Sequence, residues 1–265
     1  MAIGSKNKKR TNKASLFTKD NQKKILSASS PFIVKEAYNT VRTNLLFTQQ
    51  SDKCPVFVVS SPGANNGKSI NAINMAISFA QMGKRTLLID GDMRNPTVHR
   101  MFSIPVKNGL SEILADLTDS ITVSKTDIEN LSVLTAGKIP PNPAELLASE
   151  RMDKLLSFVK EHYDCVIIDT PPINLVTDAT AFATRATGYV LIIRTETTDI
   201  SDVKSAVNAL EQIDAKIIGF VINDEAASTK QYSAYYKKSY GYKYSRYRYS
   251  YNYNYNYSYG DYGKR

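Results

Sequence analysis

Cysteine is nearly absent from this sequence: Cys54 and Cys165 are the only two, and both stand in apolar, strand-like runs. Two thiols cannot build a disulfide framework, so the simple reading is a pair of buried thiols in a reducing cytosol. Tryptophan is missing altogether. No apolar stretch approaches the roughly 18 residues that a membrane-spanning helix needs, and the amino-terminal "MAIGSKNKKRTNKASLF" has charge but no apolar core of a signal peptide. Neither export nor a membrane span is expected. The last 24 residues, "YKYSRYRYSYNYNYNYSYGDYGKR", contain no aliphatic side chain at all. Such a segment has nothing to offset the entropy of ordering itself, and disorder is expected there.

What is present is unevenly placed. The chain has 34 Lys and Arg against 25 Asp and Glu. Residues 1–24 hold eight of the basic residues beside Asp20, and residues 226–265 hold eight more beside Asp261. The body is left with 18 basic and 23 acidic residues, so the basicity belongs to the ends. Solvated segments explain such ends, and so does attraction to anionic lipid or nucleic acid.

Between the ends, hydrophobic periodicity alternates. "SPFIVKEAYNTVRTNLLFTQQ" reads as a helix with Pro31 in its first turn. Apolar runs at 54–60, 85–90, 131–135, 165–170, 188–194 and 215–222 read as strands. Helical segments are expected near 67–83, 108–116, 143–160, 177–185 and 201–213. In "PPNPAELL", Asn142 is expected to cap, Pro143 to take the first helical position and Glu145 to favour the positive helix end. Strands apolar throughout and separated by helices imply an α/β fold: a doubly wound, mostly parallel sheet covered on both faces, with ligands beyond its carboxyl edge. Three segments follow: a basic flexible stretch at 1–30, a body at 31–225 and a tyrosine-rich tail at 226–265.

The loop "SSPGANNGKS" (60–69) joins the first strand to a helix. A phosphate-binding loop needs inward backbone N–H groups, a helix N-terminus, a lysine for the outer phosphates and a hydroxyl for Mg²⁺. Gly67, Lys68 and Ser69 supply the end of that pattern. Its first glycine is displaced, with Pro62 in the expected place and Gly63 one residue late. Asn65 and Asn66 tolerate left-handed backbone and let such a loop curl. An incidental strand-to-helix turn would look the same in isolation. However, "LLIDGDMR" places Asp90 and Asp92 just past the second strand, and "CVIIDTPP" places Asp169 at the end of the fourth. Three carboxylates at the sheet edge that carries Lys68 and Ser69 form a candidate Mg-nucleotide site. Ser69 and Asp169 would hold the metal while Lys68 and the loop amides neutralise phosphate. Of Asp90 and Asp92, one would take the proton from an attacking hydroxyl and the other help hold the ion; Asp92 is counted in both roles.

This order of a phosphate loop, "LLIDGDMR", "VIIDTPP" and a terminal tyrosine cluster resembles the bacterial tyrosine kinases of capsule and exopolysaccharide operons. In particular it resembles the stand-alone cytoplasmic kinase of Gram-positive bacteria. The likeness runs from Pro31 to the carboxyl end and takes in "PPNPAELL" and "LVTDA" (175–179). It implies a MinD/ParA-like P-loop NTPase fold and transfer of the γ-phosphate of ATP to the chain's own tyrosines. It implies Asp90 or Asp92 as base, Lys68 on phosphate, Ser69 and Asp169 on Mg²⁺, and Asn223 near adenine. A transmembrane activator of the polysaccharide co-polymerase type, a phosphotyrosine phosphatase and a ring of copies, with an octamer as the candidate size, are the implied partners. The chain is then expected in the cytoplasm, at the inner face of the membrane through its adaptor. Two departures stand out. Ala64 and Asn65 precede the Asn66-Gly67-Lys68 run and Ile70 follows Ser69, which bears on nucleotide affinity. The family's Glu-x-x-Arg-x-x-Arg is Glu36, Asn39, Arg42 here, leaving Glu36 and Arg42 to meet a neighbour on one helix face.

Fourteen of the 17 tyrosines lie at or after residue 232. These expected phosphoacceptors are Tyr232, Tyr235, Tyr236, Tyr240, Tyr242, Tyr244, Tyr247, Tyr249, Tyr251, Tyr253, Tyr255, Tyr257, Tyr259 and Tyr262. A coil of this tail's length spans about 35 Å and reaches roughly 130 Å when extended, so its own site and a neighbour's are both within range. Full phosphorylation would carry the tail from a net charge of +7 to roughly −14 to −21. Two rival readings use the same residues. A partitioning or positioning ATPase would hydrolyse ATP without phosphorylating protein, but the extra early lysine many of them carry is missing from residues 60–66. A nucleic-acid or condensation module would use "RYRYSYNYNYNY" as cation-interleaved aromatics. The kinase reading expects no nucleic acid.

Overall fold

The apolar runs become β1 (Val56–Ser60), β2 (Thr86–Asp90), β4 (Leu131–Leu134), β5 (Cys165–Asp169), β6 (Gly188–Ile193) and β7 (Ile217–Ile222) of one sheet. A short β3 (Ser124–Lys125), which periodicity did not reveal, joins it at one edge. The coordinates are a computed structural model that describes residues 22–48, 53–118, 120–195 and 197–223. The tail tyrosines and the basic residues before Gln22 lie outside the described residues. Strand order is β3-β4-β2-β5-β1-β6-β7, parallel except for the antiparallel β3–β4 pair.

Each central strand is apolar on both sides because each side meets its own core. Val56, Val58, Leu87, Ile89, Val166, Ile168, Tyr189 and Leu191 face one core. Phe57, Val59, Leu88, Ile167, Val190 and Ile192 face the other. The period-two alternation of side chains sends successive residues to opposite layers, so neither face can tolerate polarity.

Helix α1 (Phe32–Thr48) and helix α2 (Lys68–Gln81) cover the second core. Every residue of α2 from Asn71 to Ala80 is buried, so α2 is wrapped on all sides by sheet and α1. Phe57 and Phe79 meet with ring centroids 6.0 Å apart. Short helices α3 (Val98–Met101) and α4 (Leu110–Leu114) follow β2. Helices α5 (Pro143–Ala148) and α6 (Glu150–His162) and a 3-10 helix (Asp178–Phe182) flank β5. Helix α7 (Ile200–Glu211) connects β6 to β7.

Several local expectations need correction. Pro31 stands immediately before Phe32, its carbonyl accepting from the amides of Val34 and Lys35 in the first turn of α1. The helix expected over 143–160 breaks at Ser149. That residue is extended (ψ 156°), and its hydroxyl bonds the Leu146 carbonyl at 2.6 Å, the local competition by which serine ends helices. Asn142 stands at the α5 N-cap position, but its side chain donates to Glu145 Oε2 at 2.6 Å and leaves the helix amides alone. The segment expected near 177–185 is a 3-10 turn, and α3 was not foreseen. Residues 22–30, assigned above to the N-terminal stretch, pack onto the body, with Leu26 2% exposed.

Candidate active site

The register of three strands assembles the site. Asp90 and Asp169 are direct partners across β2 and β5, and Val59 of β1 pairs with Asp169. The ends of these strands therefore deliver two carboxylates side by side, next to the loop that leaves β1. Gly91 lets this happen. Its amide donates to the Asp169 carbonyl at 2.8 Å, and a Cβ there would lie 2.9 Å from that oxygen.

The loop itself curls partly as expected. Asn65 is left-handed (φ 62°), but Asn66 is not. Asn66 is buried instead, its amide donating to the Ile192 carbonyl of β6 at 3.4 Å. Gly67 is left-handed (φ 85°), and a Cβ there would fall 2.3 Å from the Asn223 side chain, so both backbone and space demand glycine. Gly63 meets neither demand, since open space surrounds it and its backbone is not left-handed. Asn223 seals the loop from behind: its amide nitrogen Nδ2 donates to Asn66 O at 2.9 Å and its backbone N–H to Ile193 O at 2.7 Å.

Lys68 opens α2 and sits among the carboxylates. Its Nζ lies 2.7 Å from Asp92 Oδ2, 3.9 Å from Asp169 Oδ1 and 3.4 Å from Ser69 Oγ. Burial alone would pull its pKa down, but Asp169, Asp92 and Asp90 together hold it above its ordinary value. Lys68 stays charged.

The three carboxylates are not equivalent. Asp92 uses both oxygens, one on Lys68 and one accepting the Asn95 amide at 3.0 Å. Asp90 Oδ2 accepts the amides of Thr97 and Val98 at 3.2 and 3.1 Å, capping α3, while Oδ1 is buried without a partner. Burial, then the charge of Asp169, pushes Asp90 well up. Neither oxygen of buried Asp169 completes a hydrogen bond, and burial raises it to about 6 against the pull of the Lys68 charge. One ammonium facing three buried carboxylates, with oxygens left over, suits a divalent cation. Among the described residues, no three acidic, His or Cys side chains form a ready-made metal cage.

Sequence reasoning missed a fourth carboxylate. Asp178, fully buried in the 3-10 helix, takes a two-pronged pair from Arg94 (Nε to Oδ2 and Nη2 to Oδ1, both 2.9 Å). Arg94 belongs to "LLIDGDMR" and Asp178 to "LVTDA", so this pair staples the Asp92 loop to the segment after β5. Both motifs were visible, but nothing in the spacing said that they touch. Glu36 and Arg42 both lie on α1. Within the chain Arg42 Nη1 donates to the Ser78 carbonyl and hydroxyl of α2, at 2.7 and 3.0 Å, and Glu36 accepts from Asn39 at 2.9 Å. A concavity of about 550 Å³ near Phe102, Ile104 and Ile128 is lined by none of the phosphate-loop residues and by none of Asp90, Asp92 and Asp169. No helix among the described residues is long and apolar enough to cross a membrane.

Residues 58–221 match the AAA domain family. The chain is 38% identical over 217 residues to the putative tyrosine-protein kinase CapB of Staphylococcus aureus, covering 82% of this chain and 92% of that protein. The solved kinase domain of Escherichia coli tyrosine kinase ETK is 32% identical and superposes with a TM-score of 0.69 over 74% of this chain and 78% of that one. MinD of Pyrococcus horikoshii, solved with Mg-ADP, shares the fold at 21% identity, with a TM-score of 0.54 over 66% of this chain and 72% of that one.

Proposed function

The chain belongs to the bacterial tyrosine-protein kinases within the AAA domain family, and from that premise we propose that it moves the γ-phosphoryl group of ATP onto its own carboxyl-terminal tyrosines. The observation that carries this reading is the meeting of Lys68 with Asp90, Asp92 and Asp169 at the end of the phosphate loop. Lys68 and the amides of Asn66 through Ser69 cradle the phosphates, and Asn223 braces the loop beside the nucleotide.

Ser69 and Asp169 would hold Mg²⁺, which neutralises phosphate oxygens and orients the terminal group when bound. Asp169 is the better carboxylate ligand because its oxygens carry no hydrogen bonds, whereas those of Asp92 are taken by Lys68 and Asn95. Asp92 contributes charge and fixes the ammonium. Asp90 is the favoured base: two amides anchor Oδ2 and leave Oδ1 to accept the phenolic proton as the tyrosine oxygen bonds the γ-phosphorus and the bridging P–O bond breaks to release ADP. A raised pKa makes it a stronger acceptor than an ordinary carboxylate.

Regulation of capsule or exopolysaccharide synthesis and export, through a transmembrane adaptor that holds the chain at the inner membrane face, completes the reading. A cognate phosphatase would reset the tail. Copies assemble as a ring through the α1 face of Glu36 and Arg42, and tail phosphorylation loosens it, because about five phosphates suffice to reverse the tail's charge.

Incubation with Mg-ATP, with and without candidate adaptor tails, followed by phosphotyrosine mapping by mass spectrometry, tests the site. Lys68→Ala and Asp90→Ala are each expected to lower labelling by about 100-fold or more. A signal that survived both changes would refute the assignment. Oligomer mass measured before and after labelling tests the ring: it should fall as phosphotyrosine accumulates, and unchanged mass at high occupancy counts against the charge-reversal step.

A further inference from the structure

The seam between α1 and α2 buries more polar chemistry than packing requires. Asn71 and Asn74 of α2 are 3% and 2% exposed, and Tyr38 of α1 places its hydroxyl between them. The hydroxyl donates to Asn71 Oδ1 at 3.0 Å and accepts from Asn74 Nδ2 at 3.1 Å. Asn74 also accepts the Leu26 amide at 2.7 Å and donates to the Lys24 carbonyl at 3.0 Å. Asn71 Nδ2 donates to the Gly67 carbonyl at 2.9 Å, an oxygen that also takes the Asn71 backbone N–H at 3.0 Å.

Apolar residues would fill this seam at lower cost, since a buried amide must be fully satisfied merely to break even. What the polar chain adds is direction. It ends on a carbonyl, and a trans peptide is planar, so holding the Gly67 oxygen on two bonds fixes where the Lys68 N–H points on the opposite side. That N–H belongs to the phosphate loop. Gly67 has no side chain to steady it and is left-handed, so its peptide depends on neighbours for orientation.

We propose that Tyr38, acting through Asn71, is a positioning residue of the nucleotide site, setting the Lys68 amide for the phosphates and making nucleotide affinity depend on how α1 is seated. The proposal rests on nucleotide binding at this loop, and it assigns Tyr38 no contact with the reacting atoms.

The test is Tyr38→Phe, which keeps the ring and removes only the hydroxyl, in the full chain. Calorimetric titration with Mg-ADP and Mg-ATP should give a Kd raised about five- to tenfold, the cost of one misdirected buried hydrogen bond. KM for ATP should rise in parallel while kcat stays within about twofold, because the proton acceptor and the lysine charge are untouched. Asn71→Ala should weaken binding similarly, and the double variant should be little worse than either single one, as expected of residues acting in series. Val41→Ala provides the contrast: it loosens apolar packing of α1 without touching the polar chain and should lower the melting temperature with Kd unchanged. A Tyr38→Phe Kd within twofold of the parent overturns the proposal. So does a Val41→Ala loss of equal size, or additivity in the double variant. If the parent binds nucleotide and Tyr38→Phe binds equally well, only this inference fails; a parent that binds no nucleotide removes the reading beneath it as well.

Discussion

At the carboxyl edge of the sheet, Asp90 Oδ1 and both carboxylate oxygens of Asp169 are buried without hydrogen bonds; along the α1–α2 seam, buried Asn71 and Asn74 and half-buried Tyr38 have their polar side-chain atoms engaged. Both regions withdraw polar groups from water, but they answer the cost differently. The seam repays desolvation at once, within the chain, and gains rigidity. The edge leaves part of the cost outstanding, as a site does when a charged ligand will complete its bonding. Arg42 belongs to the seam but shares the edge's character, since its Nε is buried without a partner while its Nη1 holds Ser78.

The sharpest way to break this comparison is to remove an outstanding charge. Asp169→Asn should lower phosphotyrosine formation by about 100-fold or more, as loss of a metal-holding carboxylate requires. The same change should make the protein more stable. Asp169 holds its proton up to about pH 6 when folded and releases it near its ordinary value of 3.8 when unfolded. Stability from that group is thus fully present below 3.8 and is lost as pH rises through about 6. At pH 7.5 and without nucleotide, the Asn variant should gain on the order of 2 kcal/mol and melt about 5 °C higher. The gain should fade as the pH falls through this window. A melting temperature that drops at pH 7.5 would show that the carboxylate is already repaid by its neighbours. The effect on stability at the seam has the opposite sign. Asn74→Ala strips partners from Leu26 N–H, Lys24 C=O and the Tyr38 hydroxyl, and should cost about 1–3 kcal/mol by denaturant unfolding. A loss below about 0.5 kcal/mol would place the seam among ordinary surface contacts.

Much of the edge was legible because its residues follow strand ends, and strand ends are written in local periodicity. Lys68 and Ser69 after β1, Asp90 and Asp92 after β2 and Asp169 closing β5 all fall where apolar runs stop. The division of labour among the carboxylates was not legible. Asp90 caps a four-residue helix that no periodicity reveals, and that cap is what sets its surroundings apart from those of Asp92. The seam was read only as an apolar helix face: Tyr38 scored as hydrophobic, and a tyrosine hydroxyl cannot announce its partner. The Arg94–Asp178 pair was hidden for the same reason, its members standing 84 residues apart.

The sequence by itself determined six of the seven strands, the phosphate loop, the edge on which the acidic residues gather and the segregation of tyrosine and positive charge at the carboxyl end. These are properties of neighbours along a chain, where a period of two or a glycine before a lysine has one physical meaning. Only the tertiary structure decided which oxygens are engaged and which are left open, and which distant side chains hold the loop in place. Those outcomes depend on desolvation and on distances between residues far apart in sequence, and no local pattern encodes either.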